Sequence, residues 1–179
     1  MARRRQLDDS SLRPGWTTGA CATAAATAAY QALLTGEFPD PVEIQLPLDR
    51  RPSFALTLEQ LTDGVAMAAV TKDAGDDPDV THGALVRAWV RPGPPGSGVR
   101  FVGGPGVGTV TLPGLPLPVG EPAINPAPRA LITANLSAVA RRHGVPLALE
   151  VTIGVDDGEA LARHTWNPRI GILGGISIL

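Results

Sequence analysis

The sequence is poor in aromatic residues, in histidine and in cysteine. Aromatic residues make up 4% of the 179 positions and hydrophobic residues 44%, so a core must be built mainly from Ala, Val, Leu and Ile. Cys21 is the only cysteine, which excludes an internal disulfide and fits a reducing, cytoplasmic location. Three scattered histidines, His82, His143 and His164, give no metal-ligand spacing, so we expect no protein-bound metal.

The chain also lacks an excess of either charge and any long apolar run. Its 15 basic and 17 acidic residues leave a net charge of −2, which predicts no nucleic-acid or membrane partner. No apolar run approaches the roughly 20 residues that span a bilayer. The basic start has no apolar stretch behind it and is not typical of a secretory signal. We expect a flexible arm over residues 1–14 and one domain over 15–179.

Hydrophobic periodicity and capping residues predict an α+β fold with a mixed β-sheet. An Ala-rich helix is predicted over residues 17–34, with Gly36 beyond its end, and a second helix packs on it over 128–143. A short helix is predicted over 156–165. The predicted strands are 42–48, 53–61, 65–71, 84–90, 99–102, 109–112 and 147–153, with a strand-like run over 171–179.

The segment from 92 to 128 is dominated by glycine and proline, which fill about half of its positions and exclude a helix. Such a composition is compatible with a disordered linker, but regularly placed apolar residues such as Phe101 and Val110 favour ordered loops. Glycines at 104, 106 and 108 imitate the first motif of Rossmann-like methyltransferases, yet no helix can follow them. We therefore predict a turn or a ligand-binding loop here.

Two predicted helix starts offer free backbone N–H groups to an anion. At the first, Thr17 and Thr18 can cap or donate and Gly19 leaves room for a ligand, although a plain capped core helix is the alternative. At the second, Asn125 can cap the helix. Arg129 lies in the first turn, where the helix dipole disfavours a cation, so either a bound anion or a structural hydrogen bond would explain it.

Four carboxylates crowd the predicted loop over residues 71–83, with a spacing that differs from an EF-hand. Because neighbouring carboxylates repel each other, we expect some of them to have a raised pKa and to act as a general acid or base. A solvated turn rich in Asp, Gly and Pro is the alternative. The catalytic candidates are Asp73, Asp76, Asp77 and Asp79.

Taken together, four segments resemble the cobalt-precorrin-5B C1-methyltransferase family. They are 15–29 (GWTTGACATAAATAA), 70–83 (VTKDAGDDPDVTHG), 106–129 (GVGTVTLPGLPLPVGEPAINPAPR) and 165–179 (TWNPRIGILGGISIL). The segments follow the family's order. Members of the family continue beyond the last motif, so the resemblance implies that this chain corresponds to an N-terminal half.

The resemblance implies transfer of a methyl group from S-adenosylmethionine (SAM) to carbon C1 of cobalt-precorrin-5B, which gives cobalt-precorrin-6A in anaerobic cobalamin biosynthesis. Cobalt would arrive inside the tetrapyrrole substrate. The carboxylates of the macrocycle would suit both helix starts and Lys72, and one aspartate would attract the sulfonium or remove a ring proton. Thr81, Gly106 and Gly108 complete the predicted binding residues.

Two other functions stay open at this point. The first is a non-catalytic corrinoid-binding fragment or partner subunit, which would bind a tetrapyrrole without turnover. The second is a structural or interaction protein with a surface rich in glycine and proline, which would bind neither ligand. A homo-oligomer is compatible with each of the three functions.

Overall fold

The computed structural model describes residues 12–179 of the chain, and most of the predicted arm, residues 1–11, lies outside this described part. The helices are α1 (Thr18–Thr35), α2 (Pro126–His143) and α3 (Gly158–Ala162), with a 3-10 turn at Asn167–Ile170. The strands are β1 (Val42–Glu43), β2 (Ser53–Phe54), β3 (Leu58–Thr62), β4 (Val65–Thr71), β5 (Leu85–Pro92), β6 (Gly98–Gly103), β7 (Thr109–Val110), β8 (Ala148–Val155) and β9 (Ile172–Leu173). The predicted α+β class is confirmed.

A five-stranded sheet in the order β3-β4-β5-β8-β6 forms the frame of the fold. Neighbouring strands run antiparallel except β6 and β8, which are parallel, so the sheet is mixed as predicted. Parallel strands need a long crossover connection. The chain between β6 and β8 contains β7 and α2, and it therefore carries both the glycine-rich loops and the second helix.

Helix α1 is the central element of the core, because most of its residues are buried. It lies between α2 and the face of the sheet formed by β4 and β5. Its alanines have little side-chain volume, so neighbouring backbones can approach it closely. The buried residues Ala68, Ala88 and Val90 of the sheet pack in the same core cluster. The predicted packing of the second helix on the first is thus confirmed.

The ends of both long helices follow from their capping residues. Thr17 is the N-cap of α1 and its hydroxyl oxygen accepts a hydrogen bond from the backbone N–H of Ala20 at 3.0 Å. Gly36 ends the helix in the left-handed conformation, with φ of 84°. Gly144 ends α2 in the same way.

Several predicted strands are shorter than expected. The run 53–61 divides into β2 and β3, because Phe54 pairs with Val42 whereas β3 pairs with β4. Between them the N–H of Leu56 donates to the carboxylate of Asp40 at 3.0 Å. The single strand predicted over 53–61 is therefore wrong, and Leu58 lies on the edge strand β3, where it is 41% exposed.

The predicted run 171–179 is a strand only at β9. Gly174 has φ of 84° and interrupts it, after which Ile176 and Ile178 form isolated bridges with Val107 and Ile124. The helix predicted over 156–165 is likewise reduced to α3.

The segment rich in glycine and proline is ordered in loops and not a disordered linker. It contains β6 and β7 and contributes most of a small second core cluster, whose buried members are Val110, Leu117, Ala123 and Ile172. Its apolar residues thus anchor it to the body of the domain. Within residues 12–179 no helix is long and apolar enough to cross a membrane.

Candidate functional site

A cleft of about 870 Å³ lies where the start of α1, the acidic loop over 71–83 and the C-terminal segment over 165–179 meet. These three stretches are far apart in the sequence. The predicted site residues that line the cleft are Thr17, Thr18, Lys72, Asp76, Asp77, Asp79 and Thr81. The structure therefore brings seven of the thirteen predicted residues to one concave surface.

Lys72 is the only lysine of the chain and is buried, with 3% of its surface exposed. It lies directly after β4, and its ammonium donates to Asp79 Oδ2 at 2.6 Å and to Thr81 Oγ1 at 2.5 Å. The Thr81 hydroxyl donates in turn to Asp79 Oδ1 at 2.6 Å. A buried ammonium needs such partners because desolvation without them is costly. The three side chains form a closed polar cluster in the cleft wall.

Asp73 is held by the segment that precedes α1. The Arg13 guanidinium donates to both carboxylate oxygens of Asp73, at 2.6 and 3.0 Å, and Trp16 N donates to the Asp73 carbonyl at 2.8 Å. Pro14 pairs with Gly75 in an isolated bridge. Arg13 and Pro14 belong to the predicted flexible arm, but these bonds fix them against the acidic loop.

Asp76 and Asp77 are both exposed but differ in their partners. Asp76 Oδ2 accepts a hydrogen bond from the backbone N–H of Arg13 at 2.6 Å. Within residues 12–179, the Asp77 carboxylate accepts no hydrogen bond and forms no ion pair. Of the four candidate aspartates, Asp77 therefore has the side chain that is most available to a ligand in the cleft.

The expectation of raised carboxylate pKa values is wrong for two of the four aspartates. The hydrogen bond from Arg13, followed by one from the Gly75 N–H, lowers the pKa of Asp73 to about 2. Burial acts to raise the pKa of Asp79, but hydrogen bonds from Lys72 and Thr81 outweigh it and lower that pKa to about 2. A cation pairs with each of these carboxylates, so mutual repulsion does not determine their pKa values. Both are ionised near neutral pH and are weak bases.

The start of α1 is partly occupied by the protein itself. The hydroxyl oxygen of Thr17 caps the N–H of Ala20, and the N–H of Gly19 donates to the Leu179 carbonyl at 2.6 Å. Gly19 is required for this contact, since a Cβ there would lie 2.7 Å from the same carbonyl oxygen. Gly19 thus approaches the chain's own backbone, while Thr17 and Thr18 face the cleft.

Gly106 and Gly108 do not lie in this cleft and instead hold the C-terminal segment. Ile176 N donates to the Gly106 carbonyl and Gly108 N donates to the Ile176 carbonyl, both at 2.9 Å. A Cβ at Gly106, whose φ is 81°, would collide with the carbonyl oxygen of Val155. Gly106 also borders a second, smaller cleft of about 330 Å³ beside the start of α3.

Asn125 and Arg129 lie at the start of α2, also outside the larger cleft. Asn125 occupies the N-cap position, but its side chain makes no capping bond within the described residues, and its N–H donates to the Ile178 carbonyl at 3.1 Å. The Arg129 guanidinium donates to the Ile124 carbonyl at 2.7 Å and to Glu121 Oε2 at 3.0 Å. This arrangement matches the structural hydrogen bond that was the alternative to anion binding.

The cleft also contains residues that were not among the predicted site residues. Trp16 and Trp166 line it, as do Asn167 and Ser177. Asn167 is buried, and its side-chain oxygen accepts a bond from Ser177 Oγ at 3.4 Å. The resembling segment over 165–179 contains three of these four residues, so the resemblance was the available signal for them.

Neither thiol chemistry nor a protein metal site is indicated in the described residues. Cys21 is buried in α1, and burial raises the pKa of its thiol to about 12, so it stays protonated and unreactive. Among residues 12–179, no group of three His, Cys, Asp or Glu side chains is arranged to hold a metal ion.

The fold and cleft define an α+β domain whose main cleft is built from N-terminal, central and C-terminal stretches of the described chain. Comparison with known proteins identifies the family. The profile of the family CbiD matches residues 5–179, and this chain belongs to the CbiD family.

Similar proteins include two curated relatives named cobalt-precorrin-5B C(1)-methyltransferase. The protein of Paramagnetospirillum magneticum is 60% identical over 172 residues, which are 96% of this chain and 48% of the relative. That of Brucella anthropi is 58% identical over 175 residues, which are 98% of this chain and 48% of the relative. The chain thus spans about half the length of these relatives.

A solved structure has the same fold. The crystal structure of cobalamin biosynthesis protein (cbiD) from Archaeoglobus fulgidus superposes with a TM-score of 0.72 at 34% identity. The match covers 94% of this chain and 52% of that chain.

Proposed function

We propose that this chain catalyses SAM-dependent methylation of carbon C1 of cobalt-precorrin-5B, which gives cobalt-precorrin-6A. The proposal rests on the relatives of that name, which are about 60% identical to nearly the whole chain. The cleft supports it, because three of the four segments that resemble the family line one concave surface. We place the reaction in the cytoplasm, where Cys21 would remain reduced.

The cleft offers donors that suit a macrocycle carrying peripheral carboxylates. An ammonium has three N–H donors, and Lys72 uses one on Asp79 and one on Thr81. The third makes no hydrogen bond within the described residues, and because Lys72 lines the cleft, a substrate carboxylate at this wall would accept it. The hydroxyl of Thr18, which is buried beside the cleft, is a further donor. Donors held in this way cost little ordering entropy when the substrate binds.

The same cleft has chemistry that suits SAM. Bound SAM would supply an electrophilic methyl group for transfer from sulfur to C1, with the bonding electron pair left on the sulfur. Asp77 offers an exposed carboxylate without a partner in the described residues, which would attract the positive sulfonium or accept a proton from the ring. Trp16, Val80 and Ile176 add apolar surface that would limit water around the reactants.

A single-turnover assay tests this proposal. The chain is mixed with SAM bearing a deuterated methyl group and with cobalt-precorrin-5B, and the tetrapyrrole is followed by mass spectrometry beside a full-length relative. Gain of one labelled methyl group is the expected result. Binding of the tetrapyrrole without methyl gain would instead support the non-catalytic fragment, and absence of both would overturn the proposal.

Asp77→Asn sharpens this assay, with Asp63→Asn as a matched exposed control in the turn between β3 and β4. We expect Asp77→Asn to slow methyl transfer by about a hundredfold, the usual size of a general-base or electrostatic contribution. Asp63→Asn should leave the rate unchanged. Equal rates in both variants would remove Asp77 from the mechanism.

A further inference from the structure

Trp166 is the most exposed aromatic side chain at the cleft, with 71% of its surface accessible. Tryptophan is highly buried on average, although single exposed apolar residues are ordinary on protein surfaces. Trp166 differs from such scattered residues because it lines a concave surface of about 870 Å³. Its exposure therefore coincides with a site that can receive a large ligand.

The backbone beneath Trp166 is held rigidly. Its carbonyl accepts hydrogen bonds from Arg169 N at 3.0 Å and from Ile170 N at 3.2 Å in the 3-10 turn. On the other side, Thr165 Oγ1 donates to the Ala162 carbonyl at 2.7 Å and accepts from Asn167 N at 3.2 Å. Stacking on a ligand would therefore order only the Trp166 side chain and not the backbone that carries it.

Arg169 adds a positive charge to this aromatic surface. Its guanidinium carbon lies 4.7 Å from the centroid of the Trp166 ring, within cation–π range. Arg169 forms no ion pair with a residue in 12–179, whereas Arg13, Arg87, Arg91 and Arg129 each do. A stacked guanidinium in this state can bind a carboxylate in a bidentate manner.

Trp16 is a useful contrast within the same cleft. It also has an arginine over its ring, with Arg50 at 5.4 Å, but its ring packs on Phe54 with centroids 5.1 Å apart. Its surface is partly buried in the main core cluster. Trp16 thus has a packing role that explains its position, and Trp166 has none within the described residues.

We infer that Trp166 and Arg169 form a docking platform on which a flat macrocycle stacks while one of its peripheral carboxylates pairs with the guanidinium. This inference rests on the proposed function, since it assigns two recognition residues to the same substrate. The platform needs both features of the ligand. A flat surface would stack on the Trp166 ring, and a carboxylate beside it would pair with the Arg169 guanidinium.

The test measures binding of two stable probes to the full chain by titration calorimetry. Cobyrinic acid carries free peripheral carboxylates, and cobinamide carries amides in their place. Trp166→Ala should weaken both probes by about tenfold, the usual effect of removing an aromatic stacking partner. Arg169→Gln should weaken cobyrinic acid by about tenfold and leave cobinamide unchanged.

Ile170→Ala is the matched control, because Ile170 is 44% exposed in the same 3-10 turn and offers neither an aromatic ring nor a charge. Thermal unfolding of each variant checks that the fold is intact, and Trp166→Phe should recover most of the affinity. Tight binding of cobyrinic acid that survives Trp166→Ala and Arg169→Gln would overturn the platform alone. No binding of either probe to the unmodified chain would overturn both the platform and the proposed function.

Discussion

The acidic loop over 71–83 and the segment over 92–128 that is rich in glycine and proline both contain predicted binding residues, but they have different roles in the structure. The acidic loop presents side chains to the cleft. The glycine-rich segment instead makes backbone contacts within the protein, because Gly106 and Gly108 are hydrogen-bonded to the backbone of Ile176. The acidic loop thus forms one wall of the candidate site. The glycine-rich segment fixes the C-terminal segment, which forms another wall.

This difference shows what each composition can and cannot predict. A loop with several carboxylates cannot be buried without cations, so it must face water, a ligand or residues such as Lys72 and Arg13. Closely spaced glycines predict only that something approaches the backbone. At Gly106 and Gly108 the approaching group is the protein itself, and a sequence motif does not distinguish this from a ligand.

The largest expected effect comes from Gly106→Ala. Its Cβ would collide with the Val155 carbonyl and require a positive φ, so we expect a loss of about 3 kcal/mol or more in unfolding free energy. Gly114→Ala is the control, because it has φ of 99° but no neighbour within 4 Å, and should cost about 1 kcal/mol. Urea unfolding measures both. Equal losses would contradict the close backbone approach at Gly106.

Lys72→Met should have the next largest effect. It removes a buried ammonium and leaves Asp79 and Thr81 without their donor, at an expected cost of about 2 kcal/mol. Asp79 is a third exposed and can regain water, which keeps the loss below that of a fully buried pair. Arg91→Met, which breaks an ion pair at a mostly exposed arginine, should cost less than about 1 kcal/mol. A reversed order would show that the Lys72 cluster does not support the wall.

Acid should lower the stability of the fold by protonating the carboxylates of Asp73 and Asp79 in the acidic loop. Asp73 and Asp79 each have a pKa lowered from 3.8 to about 2 in the folded chain. Their stabilising contribution is therefore complete above about pH 4 and is lost as the pH falls towards 2. Unfolding measured between pH 5 and 2.5 should show this loss, and Asp79→Asn should reduce its slope. An unchanged slope would mean that Asp79 is not held in its ionised form by the fold.

The smallest stability change is expected for Asp77→Asn. Its carboxylate has no partner in the described residues, so the substitution should change the unfolding free energy by less than about 0.5 kcal/mol. Asp79→Asn removes the ionic acceptor of Lys72 and should cost more. Thermal unfolding of the two variants side by side decides this. A large loss for Asp77→Asn would assign Asp77 to the structural part of the loop.

Local signals in the sequence predicted much of the fold. Alanine content and the caps at Thr17 and Gly36 predicted α1, and continuous apolar character predicted β4 with its observed bounds. The break between β2 and β3 was not predictable, because it depends on a distant partner, Asp40, for the backbone of Leu56. Long-range pairing of this kind leaves no mark in local periodicity.

The candidate site was predictable only in part for a similar reason. Carboxylate crowding identified the loop, but the low pKa values of Asp73 and Asp79 depend on Arg13 and Lys72, whose side-chain positions need the fold. Arg13 is sixty residues from Asp73 in sequence and was assigned to a flexible arm. The prediction of raised pKa values therefore considered the repulsion between carboxylates but not the cations that offset it.

The most direct test of the central claim, that the cleft binds the tetrapyrrole, is hydrogen exchange of the full chain with and without cobyrinic acid, read by mass spectrometry. Binding in the cleft should slow amide exchange over residues 12–18, 71–83 and 165–179, which surround it. Residues 109–117, on the glycine-rich side, should exchange at the same rate in both samples. Protection confined to 109–117, or no protection anywhere at saturating probe, would contradict the assignment of the cleft as the substrate site.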